Sequence, residues 1–448
     1  MKKIILLTAV LIAELGLKAQ GPAITSWLQN TTTTARHYVS GNSTPITDNE
    51  LVNVQLVQYD ANYSYVSATG LPAYVTGPFL DGNPSLATAQ NSIFKIPLNP
   101  VQNGGTPTVV GMGNIGVFIN GTALFNYADG VSYSLTAGAD QGGPGGGMGD
   151  GMWNRDAILA EKDGFDCSKG HPAMGNYHHH QNPSAFKLDL NVISTICNTY
   201  DADGLYAINN SQHSPLIGFA YDGFPIYGAY GYANTNGTGG IVRIKSSYSL
   251  RSISVRTHYA DGSNVTDGPA VNSTYPLGHY QEDYEYIANA NQGYLDEHNG
   301  RVCVTPEYPA GIYCYFATVD ANWNSAYPYV VGPTFYGVTN VTTVNSVPGG
   351  TTVYTPTAIN ENLLENVQIN VYPNPANNFI VMQFNSLVKE NISVELFDIT
   401  GKSIQKSIIY QGSTIAHIDT RSLYNGQYLL RFTANNETVV KKIIIAKD

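Results

Sequence analysis

Charge is scarce in this chain of 448 residues, where Asp, Glu, Lys and Arg together make up 12%. The charge present is mostly acidic, 33 Asp and Glu against 22 Lys and Arg, for a net of -11. That balance excludes a basic face for nucleic acid or anionic lipid. Long apolar runs are also missing: beyond Ile12 nothing is long and apolar enough for a transmembrane helix. The glycine-rich run Gln141 to Gly151 lacks a Gly-Lys-Ser/Thr ending, so it is a connector or a loop beside a site rather than a phosphate cradle. A Gly-x-Ser-x-Gly elbow is absent too. Ser214 follows His213 directly, and adjacent residues rarely form a nucleophile–base pair, so nucleophilic hydrolysis is poorly supported.

What the chain does hold is Tyr (32) and Gly (45), with much Thr and Asn. This composition suits an extracellular, turn-rich, mainly β protein. The length exceeds one ordinary core, so two or three units are expected. Lys2 and Lys3 precede the apolar run Ile4 to Ile12, and Leu17-Lys-Ala19 precedes Gln20. These features predict a signal peptide over 1–19 and a mature chain starting near Gln20. In an exported protein the four cysteines favour disulfides. Cys167–Cys197 and Cys303–Cys314 are the expected pairs because each is close in sequence, with Cys314 as a free thiolate ligand the competing assignment.

Strands are predicted where polarity alternates, as in Leu51 to Tyr65, and at Phe94 to Pro97, Ala185 to Ile196, Ile241 to Leu250 and Gly311 to Val319. Asn120-Gly121 between two apolar runs predicts a hairpin, since both residues tolerate positive φ. Ala157 to Glu161 is a short helix candidate with Asp156 near its start. Asp201-Ala-Asp203-Gly204 is a turn, lacking the distal Glu of a calcium loop. Composition shifts after Gly337. The expected division is a β-rich unit over 20–344, a linker over 345–366 and a small β-sandwich of three to five strands over 367–448.

The chain's chemistry is concentrated in His171 to His180, which holds four of the ten histidines. On a strand, residues two apart share a face, so His178 and His180 would form a His-x-His pair suited to copper or zinc. His213 or His171 could supply a third ligand, and Asp222 could complete or orient the site. Copper is weakly favoured over zinc, through imidazole and phenol chemistry. The competing assignment is a polar core in which these histidines bond to backbone and aromatic neighbours. His179 would face the other way and is expected at the surface. Asp222-Gly223 is more often an Asx turn than a catalytic carboxylate.

Two families are resembled. The segments Tyr372-Pro-Asn-Pro-Ala376, Leu396-Phe-Asp-Ile-Thr-Gly-Lys402, Ile418-Asp-Thr420, Leu423-Tyr-Asn-Gly426 and Lys441-Lys-Ile-Ile-Ile445 resemble, in order, the C-terminal sorting domain of type IX secretion cargo. That resemblance implies engagement of the type IX machinery by residues 367–448, export across both membranes, and release or surface attachment. Residues 50 to 337 resemble the YHYH family, whose motif stands here as Tyr177-His-His-His180. Asn114-Ile-Gly-Val-Phe-Ile-Asn-Gly121, Trp153-Asn-Arg-Asp-Ala157, Asp222-Gly-Phe-Pro-Ile-Tyr-Gly228 and Leu295-Asp-Glu-His-Asn-Gly-Arg301 match it as well. The third motif position is His179 instead of Tyr. Cys314, between Tyr313 and Tyr315, stands where relatives often carry His. The resemblance supplies a domain and no reaction. Three functions are therefore weighed: metal binding through the histidines, adhesion to a glycan or protein through a Tyr/Asn-rich face, and hydrolysis using Asp222.

Overall fold

The computed structural model describes residues 20–81, 85–143, 147–184, 197, 199–200, 204–339, 342–355, 369–385, 387–434 and 437–447. The expected signal peptide, the expected strand Ala185 to Ile196, and most of the Asp201 turn lie outside them. Strands dominate. The described α-helices are two single turns, Pro22–Thr25 and Ala157–Ala160. No helix is long and apolar enough to cross a membrane.

An antiparallel sheet opens the larger unit, in the order Thr343–Val344, Ser92–Pro97, Tyr63–Ala68, Val54–Tyr59, Thr352–Val353. The apolar and polar alternation after Leu51 continues through a turn, where the Asp60 carboxylate accepts from the backbone N–H of Asn62 and Tyr63. Val54, Val57, Val66, Phe94 and Ile96 point into the core and are buried. Thr352–Val353 pairs with Val54–Tyr59, so the stretch expected to begin a linker at 345 instead closes this sheet.

The central sheet has eight strands. In chain order they are β1 (Asn114–Phe118), β2 (Ala123–Phe125), β3 (His171–Ala173), β4 (Asn176–His179), β5 (Leu216–Ala220), β6 (Pro225–Tyr227), β7 (Gly300–Cys303) and β8 (Ile312–Phe316). Their spatial order is β3-β4-β2-β1-β5-β6-β8-β7. The Asn120-Gly121 turn joins β1 to β2 as expected. Gly121 has φ +78°, and a Cβ there would stand 2.4 Å from that of Ala68, so only glycine fits. Both faces of this sheet are covered. Val117, Phe118, Leu124, Ile217, Phe219, Ile226 and Tyr315 all belong to one core shared with the first sheet.

The Cys167–Cys197 disulfide is formed, whereas Cys303 and Cys314 are buried thiols. Strand register explains the correction. Cys303 lies opposite Ile312, and Cys314 lies opposite Arg301. Diagonal neighbours of this kind stand about 7–8 Å apart, beyond the usual disulfide span. The Cys314 thiol donates to the Ile312 carbonyl at 3.5 Å, and the nearby Cys314 and Arg301 side chains lower the Cys303 pKa.

The C-terminal unit is a sandwich of a three-stranded and a four-stranded sheet. Ile380, Met382 and Phe384 from one sheet meet Val394, Leu396, Leu430 and Phe432 from the other. The strands Ser403–Ile409 and Ile415–Asp419 exceed the expected three to five. Both are rich in polar residues that face outward, which weakens their apolar signal. The Asp398 to Gly401 turn is present, with the Asp398 carboxylate accepting from the N–H of Thr400 and Lys402. This sandwich packs Val381 and Ile415 against Ala207 and the Cys167–Cys197 bridge.

A loop region over 251–283 has few strands and is organised by one ion pair. Arg256 is fully buried and donates to both Asp283 carboxylate oxygens at 2.7 Å, and to the carbonyls of Pro269 and Pro276. Removing one member of such a pair strands its partner's charge. Arg256→Ala is expected to cost about 3–5 kcal/mol, read as a lowered urea midpoint.

Candidate metal centre

The centre begins with a two-residue turn. Met174 (φ 49°) and Gly175 (φ +86°) both adopt positive φ and join β3 to β4. Their twist suits a tight hairpin. The resulting register sets His171 directly opposite His178. His180 follows two residues on and shares the face of His178. Strand β4 runs parallel to β2, with His178 beside Ala123. Phe125 therefore stacks on the His178 ring at 3.7 Å, and the Asn126 carbonyl reaches His180. Phe165 presents its edge to His171 at 4.9 Å.

Two hydrogen bonds set the chemistry. His178 Nδ1 lies 2.8 Å from the Asn176 carbonyl, and His180 Nδ1 lies 2.5 Å from the Asn126 carbonyl. A carbonyl oxygen only accepts, so each Nδ1 carries a proton, and in the neutral ring Nε2 is then a bare lone pair turned inward. These Nε2 atoms are 3.1 Å apart, and His171 Nε2 is 3.3 Å from that of His180. Side-chain atoms of the three histidines lie within 4.8 Å of one another.

The short helix supplies a fourth group. Asp156 caps its start by accepting from the Ile158 N–H, and the Tyr329 hydroxyl donates to Asp156 at 2.5 Å. Burial pushes Asp156 up to about 7, against those hydrogen bonds. The helix ends at Glu161, whose Oε2 stands 3.1 Å from His180 Nε2 and 3.3 Å from His171 Nε2. This oxygen is buried yet has no well-directed donor. With both rings neutral these contacts are lone pair to lone pair, and either a cation between them or a proton on an imidazole Nε2 relieves them. Burial raises the Glu161 carboxyl, but the two imidazoles outweigh it and hold the group well below the usual carboxylate range. Glu161 was missed in the sequence because nine residues, Cys167 of the disulfide among them, separate it from His171. Its spacing carries no signal.

The other expected ligands stand elsewhere. His213 Nδ1 contacts its neighbour's carbonyl, Ser214 O, at 2.7 Å, and its ring packs on Tyr227 and Tyr232. Asp222 is wholly buried beneath β6 and β8. It accepts from Tyr315 Oη at 2.6 Å, Gly337 N at 2.8 Å and Phe224 N at 3.2 Å. The bond from Phe224 makes it an Asx turn. Burial pushes its carboxyl up to about 6. Cys314 on β8 is five strands from β4 and does not replace a histidine of this centre. His213 and Asp222 flank β5, three strands from β4 in the sheet order.

His179 is not at the surface, because the second face of β4 is covered as well. It is fully buried, with Nε2 2.7 Å from the Tyr74 hydroxyl and Nδ1 2.9 Å from the Lys169 carbonyl. Beside it Tyr177 donates to Asp166, which also accepts from the N–H of Gly77, Ser168 and Gly170. Alternate motif positions thus serve opposite faces: His178 and His180 converge on Glu161, while Tyr177 and His179 tie the strand into a polar core.

Strand architecture and a buried histidine cluster on the central sheet define a mainly β protein. The YHYH protein family profile matches residues 93–328, more than half of the chain, and the chain belongs to that family. Residues 370–446 match the secretion system C-terminal sorting domain, which marks the chain as type IX cargo sent to the cell surface or secreted. No curated protein shows significant similarity to the chain.

Two outcomes separate the roles of these residues. Asp222→Asn replaces one accepting oxygen by a donor facing Tyr315 and Gly337, and is expected to cost about 1–3 kcal/mol of stability. Its metal content should equal the parent's when measured by mass spectrometry. His179 titrates near 6.5 in an unfolded chain, but burial pushes it down to about 3 in the fold. Its stabilising contribution is complete above about pH 6.5 and is lost as pH falls toward 3, because only the unfolded chain takes up the proton. The stability gap between the parent and His179→Gln should therefore narrow from pH 7.5 to pH 4.5 in denaturant titrations.

Proposed function

We propose that this protein binds a transition metal ion, zinc or copper, outside the cell through His171, His178, His180 and Glu161. One observation carries the reading: three imidazole Nε2 atoms and a carboxylate oxygen without a well-directed donor gather at contacts of 3.1–3.3 Å in a buried site. Ligand atoms about 2.0–2.1 Å from a tetrahedral ion stand about 3.3 Å apart. The spacing therefore suits an ion at the centre of the group.

Burial, with His180 and His171 alongside, drives His178 well below its ordinary pKa, so it resists charging. Three imidazoles and one carboxylate are borderline donors that suit zinc and copper and offer little to calcium or magnesium. The histidines are at most 7% exposed, while the Glu161 side chain is 26% exposed. Exchange of ion or ligand would take place on the Glu161 side. Gathered histidines speak against a purely adhesive face, and Asp222, sealed in its turn, speaks against a hydrolase.

Metal content of the purified full-length protein tests the proposal. One equivalent of zinc or copper is expected, lost in the His178→Ala/His180→Ala double variant and bound at least about tenfold more weakly by Glu161→Gln. Saturating ion should also stabilise the parent, by about 2.7 kcal/mol at a hundredfold excess over Kd. A folded parent that takes up neither ion on reconstitution would remove the proposal.

A further inference from the structure

A second feature stands apart from the metal ligands. A cleft of about 670 Å³ opens between the short helix and the segments around Lys245 and Tyr294. Its floor is aromatic and rigid. Tyr327 and Tyr329 are buried, Tyr284 stacks on Tyr327 at 4.0 Å and 5°, and Tyr248 meets Tyr327 edge-on at 5.4 Å. Tyr248, Tyr284 and Tyr294 remain partly exposed above that floor.

The rim is cationic in a chain whose net charge is -11. Arg243 donates one bond, to the Val319 carbonyl, and Lys245 Nζ lies 5.2 Å over the Tyr294 ring. Among the described residues neither is paired with a carboxylate. Asp320, the acidic residue in the lining, turns its oxygens to the N–H of Asn322 and to Asn324. Two cations therefore face the cleft against one carboxylate that is turned to its own loop.

We infer that this cleft binds an acidic oligosaccharide, with tyrosine rings against the sugar's C–H faces and Lys245 and Arg243 on its carboxylates. Flat, part-exposed rings with hydroxyl edges match a pyranose, which is apolar on its face and polar at its rim. A charge-assisted bond to each carboxylate fixes orientation. Two cations are too few for a nucleic-acid backbone. The volume lies within the usual range for a small-molecule site, about 300–1,000 Å³. None of these residues is a proposed metal ligand, so the inference stands apart from the metal reading.

Calorimetric titration of the full-length protein, in EDTA so that the result does not depend on a bound ion, tests the inference. The probes are trimers of galacturonate and of mannuronate, each with its methyl ester, which keeps the ring and removes the charge. Binding of at least one acid is expected, with its ester weaker by about tenfold or more. Lys245→Ala and Tyr248→Ala should each weaken the acid by a similar factor while melting near the parent temperature. Lys245→Gln replaces the alanine variant if that fails to fold. Equal affinity for acid and ester, binding untouched by folded variants, or no binding of either acid would overturn the assignment.

Discussion

The geometry of the histidine cluster depends on two backbone carbonyls. Asn176 O and Asn126 O each take the Nδ1 proton of a histidine, and this leaves Nε2 bare on the inward side. Without those acceptors the rings could swap tautomers and hydrogen-bond to one another or to Glu161, and the cluster would be an ordinary polar core. With them, neutral His178 and His180 each keep Nε2 free as an acceptor. The carbonyls are in place because of strand pairing: Asn176 belongs to β4 itself, and Asn126 ends β2, the parallel neighbour of β4.

The two faces of β4 divide the energetic work. One gathers the bare nitrogens, a poorly satisfied arrangement that costs stability when empty. The other is fully bonded, with His179 between Tyr74 and the Lys169 carbonyl and Tyr177 on Asp166. Burial pushes Asp166 up to about 7, yet its four donors keep it satisfied. A strand anchored on one face in this way can hold a strained group on the other. The short helix does the same for Glu161, since Tyr329 and Asp156 fix its start.

The helix also joins the site to the aromatic cleft: Ile158 and Leu159 line the cleft, and Glu161 lies at the helix end. Among the described residues, the sorting sandwich contributes none to either. It touches the larger unit near Thr32, where Gln411 accepts from the Thr32 hydroxyl, near Leu205, whose carbonyl accepts from Thr414, and at the Cys167–Cys197 bridge. Export and the proposed binding chemistry thus rest on separate residues of one chain.

Local signals in the sequence were reliable. The Asn120-Gly121 hairpin, the helix capped by Asp156, the Cys167–Cys197 bridge and the shared face of His178 and His180 follow from short-range geometry, and so does the ordered set of sorting-domain motifs. The ligand set was only partly legible. His171 joined because a tight turn sets it opposite His178, whereas His213 and Asp222 are ordinary packing and turn residues in other strands. Glu161 and the burial of His179 left no trace in the pattern, because covering both faces of a strand removes the alternation that marks inside from outside. By itself the sequence determined the β class, the family, the export route and the histidine pair, since those rest on composition, motif order and a period of two. Only tertiary structure decided which groups meet, because parallel pairing of β4 with β2 and the placing of one helix end are contacts between distant segments.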